Sequence, residues 1–414
     1  MRQTLPYVRW PSILADSKFL GKETMSHLQN NRVLHLESLR GIAAIVVVIH
    51  HCVLSFWPGI YGKEESPSIF QKIIINSPFS ILYNGQFAVY IFFMLSGYVL
   101  SIKFFQTRNS NIIRILMLKR YVRLSVPILA ASLLGYFMWE AGLFTAESAP
   151  VSNWLKSFFK EDDEFSFVDS VISGLFKTIL LGEDKYDYVL WTMKIEFWGS
   201  ILVFANCLLL KGLRNRIFLY AIQALIIIGI SGSNSMAYIC FLAGMAIADS
   251  GPLSIKGTTG WLLLILSIFL ATYFTNSESH EFLKSFFYLR YGSINITPTM
   301  LCYSIGSFVL LLLTLYFAPI KTAIDNPIGH FLGKISFPLY LTHAFVLSSI
   351  GALTLKKLVQ YLPFDIAALA STLVTVAGSL LLAWGFRPID DLAAYTSKWF
   401  SSAFIEGPSK DAVR

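Results

Sequence analysis

The sequence predicts an all-α, polytopic membrane protein with about ten transmembrane helices in one bundle. Three observations carry this prediction. Of 414 residues, 55% are hydrophobic and only 14% are charged, whereas a soluble chain carries roughly a quarter charged residues. Mean hydropathy is +0.60. Several apolar runs approach the ~20 residues that cross about 30 Å of hydrocarbon. The formal net charge of +8 is not a nucleic-acid signature, because basic residues cluster between particular apolar runs, as the positive-inside rule requires. Cys52, Cys207, Cys240 and Cys302 lie in apolar surroundings without metal-ligand spacing, and they read as packing thiols. The first apolar run follows a polar segment too long for a signal-peptide n-region, so no cleavable leader is expected.

Taken in order, the spans fall at 39–57, 84–103, 124–144, 189–210, 216–232, 235–250, 258–275, 300–318, 335–355 and 367–386. The fifth and sixth are short and joined by "SGSNS", and an eight-span arrangement would fuse or drop them. Arg2, Arg9, Lys18, Lys22 and Arg32 precede the first span. Lys103, Arg108, Arg114, Lys119, Arg120 and Arg123 follow the second with no acidic residue among them. Lys211, Arg214 and Arg216 follow the fourth, and Lys321 and Lys334 separate the eighth from the ninth. With ten spans all of these fall on one side, which is assigned to the cytoplasm together with both termini. The chain then divides into a cytoplasmic segment 1–38, a transmembrane domain 39–386 and a cytoplasmic tail 387–414. The cell (inner) membrane is the expected location.

The longest outer connection, 145–188, is acidic at "KEDDE" and contains "VDSVISGLFKTIL". There Val168, Val171, Ile172, Leu175, Phe176 and Ile179 follow helical spacing. This helix is too short to cross and suits the outer membrane face. A lid over a site is the alternative.

Ionisable residues inside spans are costly and mark function or close helix contacts. In "LRGIAAIVVVIHH", Arg40 and His51 are eleven residues apart. At about 100° per residue they return to within about 20° of one face, with a rise of about 16 Å, while His50 points about 80° away from Arg40. Glu37 can pair with Arg40. Read separately, such residues are a snorkelling anchor and a helix–helix hydrogen-bonding group; their shared stripe points to a site. In "LWTMKIEFWGS", Glu196 lies about 10 Å below the outer surface, level with His51. The pair could be an imidazole oriented by a carboxylate and acting as a general base on a hydroxyl. A structural Glu196–Lys194 pair is the plainer alternative. Ser96 and Gly97 in "FFMLSGY" could place a hydroxyl or a close backbone approach. The basic run around "KRYVRLSVP" would attract a polyanionic cytosolic ligand or anionic lipid. In "GKISFPLYLTHAFV", Tyr340 and His343 occupy neighbouring faces. Pro338 is placed near that helix's start, with His343 about 12 Å deep on the cytoplasmic half.

The ordered set "LESLRGIAAIVVVIHH", "FFMLSGY", "KRYVRLSVP", "LWTMKIE" and "ISFPLYLTH" resembles the acyltransferase-3 family of integral membrane acyltransferases. It extends over residues 36 to 346. Its arginine-to-histidine spacing selects Arg40 and His51. The chain departs from the common pattern at Tyr90, where aspartate is usual, at Phe337, where tyrosine is common, and in a proline one place later after Arg123. The resemblance implies an O-acyltransferase, with acetyl the usual group, moving it from cytosolic acyl-CoA (acetyl-CoA) to a hydroxyl of a cell-surface carbohydrate or glycolipid, or of a small molecule. It implies no metal, and no hydrolase-like second domain is expected in the 28 residues after residue 386. Joined to the residue reading, it makes His51 and Glu196 the catalytic pair and Arg40, Arg120 and Arg123 the ligands of the acyl-CoA phosphates. Ser96, Tyr340 and His343 line the substrate path. The rival from another class is a proton-coupled secondary transporter or flippase that uses His51 and Glu196 as a relay.

Overall fold

The computed structural model describes residues 26–404 apart from 64, 65, 67, 214, 276, 285–287, 292 and 293. Arg2, Arg9, Lys18, Lys22 and Arg214, and most of the terminal segments, therefore lie outside the described residues. Each of the ten apolar stretches is helical: α1 (Ser26–Phe56), α2 (Gly85–Thr107), α3 (Ser110–Glu140), α4 (Trp191–Leu209), α5 (Arg216–Ile230), α6 (Ser235–Ser250), α7 (Gly257–Ala271), α8 (Pro298–Tyr316), α9 (Pro327–Val346) and α10 (Phe364–Ala403). A π-type turn carries α9 on to Leu358. Seven of these helices are long and apolar enough to cross a membrane; α5, α6 and α7 have 15 or 16 residues and are shorter. The remainder is loop, short helical turns and a small hairpin, Leu289–Tyr291 with Ile294–Ile296.

Contacts sort the helix ends into two tiers. On one tier Asp249, at the end of α6, meets Arg108 after α2 and Arg216 at the start of α5. Lys211 after α4 bonds Ser110 at the start of α3, and Tyr316 at the end of α8 bonds the Gly251 carbonyl. On the other tier Asn84 before α2 donates to Ala271 O at the end of α7, and Trp57 after α1 donates to Asp365 at the start of α10. Consecutive helices thus alternate in direction. α1 and α9, eight helices apart, run parallel: Ser38 meets Gly329, Gly41 meets Gly333, and His51 meets His343.

Several helices outrun their apolar segments because polar caps, not hydropathy, set their ends. Asn109 caps α3 and Asn326, followed by Pro327 at the first helical position, caps α9. This corrects the placement of Pro338, which lies inside α9 rather than near its start.

Close packing rests on small residues at crossings. A Cβ on Gly97 would lie 2.1 Å from Phe241 O, and one on Gly244 would lie 2.0 Å from Met94 O, so α2 and α6 touch backbone to backbone. Gly97→Leu should force these helices apart at a cost of about 1–3 kcal/mol or more, lowering the yield of monodisperse protein and its melting temperature on size-exclusion chromatography.

The connection 145–188 is ordered over the second tier. Its amphipathic segment is helical as Phe167–Ile172 and Thr178–Leu181 around a π-type turn. Val168, Ile172 and Phe176 stay exposed, as suits a helix lying against lipid. Lys177, 2.6 Å from Asp169, holds that carboxyl below the usual carboxylate range. Burial pushes the Asp187 carboxyl well above it.

Candidate active site

Two polar clusters lie along the α1 stripe. The deeper one joins α1, α2, α3 and α4. Arg120 forms a close ion pair with Glu196 and also donates to the Glu196 backbone carbonyl at 3.3 Å. Ser96 donates to the same Glu196 carboxylate at 2.7 Å. The Arg120 Nε is buried without a partner among the described residues. Arg40 lies within Coulombic reach of Glu196, Glu37, Arg120 and Arg123, yet its guanidinium makes no hydrogen bond among the described residues. Arg123 is held differently: it grips Asp390 on α10 through two nitrogens at 2.5 and 2.9 Å, and its guanidinium carbon sits over the Phe337 ring, 5.9 Å from the centroid. Arg120 and Arg123 are thus each matched by a carboxylate, Glu196 and Asp390, while Arg40 keeps its guanidinium donors for a ligand, as suits a phosphate-bearing one. A cleft of about 340 Å³ adjoins this region, lined by His330, Phe331, Lys334, Trp384 and Arg387 among others.

The second cluster lies about 16 Å further along α1. His51 Nδ1 is 2.7 Å from His343 Nε2, and the two rings are nearly parallel, at 8° with centroids 5.0 Å apart. Trp154 stacks on His51 at 5.3 Å and Tyr188 meets it edge-on at 5.7 Å. Both aromatics come from the connection 145–188. His343 is fully buried, whereas His51 is partly buried. His51 Nε2 has no hydrogen-bonding partner among the described residues, so one nitrogen of this ring is left for a ligand. His50 faces the other way, as its phase requires: its Nδ1 lies 2.7 Å from the Tyr61 hydroxyl and 3.1 Å from Tyr83 O.

The structure therefore brings the named residues together in two groups rather than one. Arg40, Arg120, Glu196 and Ser96 form the first, with Arg123 beside them; His51 and His343 form the second. The expected His51–Glu196 pair is not made. Counting rises along single helices put both at similar depth, but the count cannot see which neighbour each side chain faces. Glu196 turns to Arg120 on α3 instead. Lys194 is not its partner either, since its side chain packs against Gly182. His343 is corrected from the cytoplasmic half to the level of His51, because α9 begins at Pro327, eight residues before the point from which its depth was counted. Tyr340 is pinned rather than open: its hydroxyl donates to Val189 O at 3.0 Å and lies 2.8 Å from the Thr192 hydroxyl. Missed from sequence were Asp390, Trp154 and Tyr188. Asp390 alone left a signal, since an all-basic run inside a bundle needs a counter-ion and "FRPIDD" supplies one at the matching end of the last helix.

Comparison with known proteins identifies the family. A family model described as an acyltransferase domain, acyltransferase-3, matches residues 33–384. The O-acetyltransferase PaAT-1 of Phomopsis amygdali is 24% identical, over 90% of this chain and 86% of its own length. The acyltransferase clz18 of Cochliobolus lunatus is 24% identical, over 66% of this chain and 70% of its own length. No solved structure matches the chain. With both site-bearing stretches of α1 and α9 inside a match that spans most of its length, the chain belongs to the acyltransferase-3 family and is a multi-pass membrane acyltransferase.

Proposed function

We propose that this protein transfers an acyl group, acetyl in the first instance, from cytosolic acyl-CoA to an acceptor hydroxyl. The observation that carries the reading is the α1 stripe: an arginine with an unengaged guanidinium at one level and a histidine with an unengaged ring nitrogen about 16 Å away. Arg40 and the free Nε of Arg120 take the phosphates of the donor through charge-assisted hydrogen bonds, with Arg123 alongside. The neighbouring cleft suits the nucleotide end, with Trp384 offering an indole face and Lys334 and Arg387 offering charge. An extended pantetheine arm covers the distance to His51. There the acceptor hydroxyl gives its proton to His51 Nε2 as its oxygen attacks the thioester carbonyl. The new C–O bond forms, the C–S bond breaks, and the proton passes from His51 to the leaving thiolate.

Orientation follows from the same chemistry. The tier holding Arg108, Arg216 and Lys211 faces the cytosol, where acyl-CoA is found and basic loops are retained. The parallel course of α1 and α9 supports ten crossings. With only the seven long helices crossing, α1 and α9 would be first and sixth and would run antiparallel. Both termini are then cytosolic, flanking a transmembrane domain over 39–386, and the acceptor meets His51 from the far leaflet.

The acceptor presents its hydroxyl against Trp154 and Tyr188, faces that suit the C–H surface of a sugar ring or another apolar framework. A carbohydrate or glycolipid is the first reading. The second is a small non-carbohydrate alcohol, whose apolar framework the same two aromatic faces would also accept. A transporter using His51 and Glu196 as a relay is not favoured, because Glu196 is committed to Arg120 and Ser96.

The donor assignment is tested with Arg40→Gln. We expect the KM for acetyl-CoA to rise about 10-fold or more, the loss of one charged hydrogen bond, with kcat falling less. A KM unchanged in this variant, assayed as acetyl transferred from labelled acetyl-CoA, would contradict it.

A further inference from the structure

We propose that His343 is the positioning residue for His51: it fixes which ring nitrogen of His51 is basic and supports the charge that nitrogen gains. The inference rests on the reading of His51 as the base, and it gives to a second histidine on α9 the part first expected of Glu196.

His343 Nδ1 lies 3.1 Å from Leu339 O. A carbonyl only accepts, so Nδ1 carries the hydrogen in this contact. A neutral imidazole protonated at Nδ1 has a bare Nε2, which only accepts. Among the described residues the partner of His343 Nε2 is His51 Nδ1, at 2.7 Å, so that atom must donate. His51 is then left with its lone pair on Nε2, the nitrogen without a protein partner. A backbone carbonyl thus dictates, through two rings, the tautomer of the partly exposed one.

Packing holds the relay in place. α1 and α9 run in parallel register, with Gly41 and Gly333 in backbone contact ten residues before His51 and His343 respectively. The equal spacing brings the two histidines to one level. His343 has no exposed surface, and its ring lies against Tyr340 with centroids 6.1 Å apart. When His51 takes the acceptor proton at Nε2, its Nδ1–H still donates to His343 Nε2, and that bond strengthens as His51 becomes cationic. His343 does not take up the transferred proton, just as the orienting carboxylate of a catalytic triad does not.

The test needs one measurement on the unaltered protein and two variants. In full-length protein in nanodiscs, labelled with 15N-histidine and with the His51 signals assigned by difference from His51→Gln, Nε2 of His51 should be the unprotonated nitrogen. Finding the proton on Nε2 would overturn the proposal. His343→Phe keeps a ring of similar size but has no acceptor; it should lower kcat about 10²-fold while leaving KM for acetyl-CoA unchanged, and should mix the His51 tautomers. His343→Gln, whose carbonyl can accept from Nδ1–H, should recover kcat to within about 10-fold of the original. Equal loss in both variants with the tautomer unaltered would also overturn it. The unprotonated Nε2 together with full activity of a His51→Ala variant would sink the general-base reading and leave the positioning intact.

Discussion

His51→Ala abolishes acyl transfer, lowering kcat by about 10³-fold or more, and leaves the protein folded in the membrane. The size of the effect follows from the single route available for the proton. General-base assistance contributes about 10²–10⁴-fold, and His51 is the imidazole packed against Trp154 and Tyr188. The fold survives because His51 contributes one side-chain hydrogen bond, to His343. Its loss leaves one buried acceptor unpaired, at about 1–3 kcal/mol. The adjacent histidine supplies the control. His50→Ala removes contacts to Tyr61 and Tyr83 and empties the space against Gly85, so it should lower the melting temperature while retaining most of the transfer. Size-exclusion profiles and label incorporated from acetyl-CoA separate the two outcomes. Inactivity from His50→Ala with full activity in His51→Ala would reverse the assignment.

Glu196→Gln produces the second large effect, and mainly on assembly. Glu196 is ion-paired with Arg120 and lies within Coulombic reach of Arg40. Removing one partner of such a desolvated pair costs about 3–5 kcal/mol, because the remaining charge stays buried. The yield of folded protein should therefore fall steeply. Adding Arg120→Gln removes the stranded charge and should restore folding. It should not restore transfer, since Arg120 also supplies a donor to the acyl-CoA phosphates. Recovery of both folding and activity in the double variant would show that the pair serves structure alone. Loss of activity in Glu196→Gln with undiminished folding would return Glu196 to the catalytic role first read from its depth.

What was legible in the sequence reflects which quantities repeat along one chain segment. Helical phase is local, so it separated His51 from His50 and placed Arg40 on the same stripe as His51. The apolar runs gave ten helices, since hydrophobic length is also local. Partners across helices are not. Counting along single helices makes Glu196 and His51 level, yet Glu196 meets Arg120 in the Arg40 cluster while His51 meets His343, because partners are set by how α4 packs on α3 and by the glycine contacts between α1 and α9. The depth of His343 was misjudged for a simpler reason: the cap at Asn326 begins α9 inside a stretch that hydropathy leaves out. Trp154 and Tyr188 come from a loop whose path over the bundle depends on tertiary contacts such as Ser152 N to Ser55 O, and no spacing rule reports those.

The central claim is that an acyl group leaves coenzyme A and reaches a hydroxyl by way of His51. The most direct measurement uses purified protein in nanodiscs, [1-14C]acetyl-CoA and a lipid-and-metabolite extract of the source cells, following free thiol released and label transferred. The account predicts that the extract stimulates thiol release with matching label incorporation in the original protein, and that His51→Ala shows neither. Equal incorporation by His51→Ala, or proton-coupled solute uptake by the protein in vesicles without any thiol release, would contradict it.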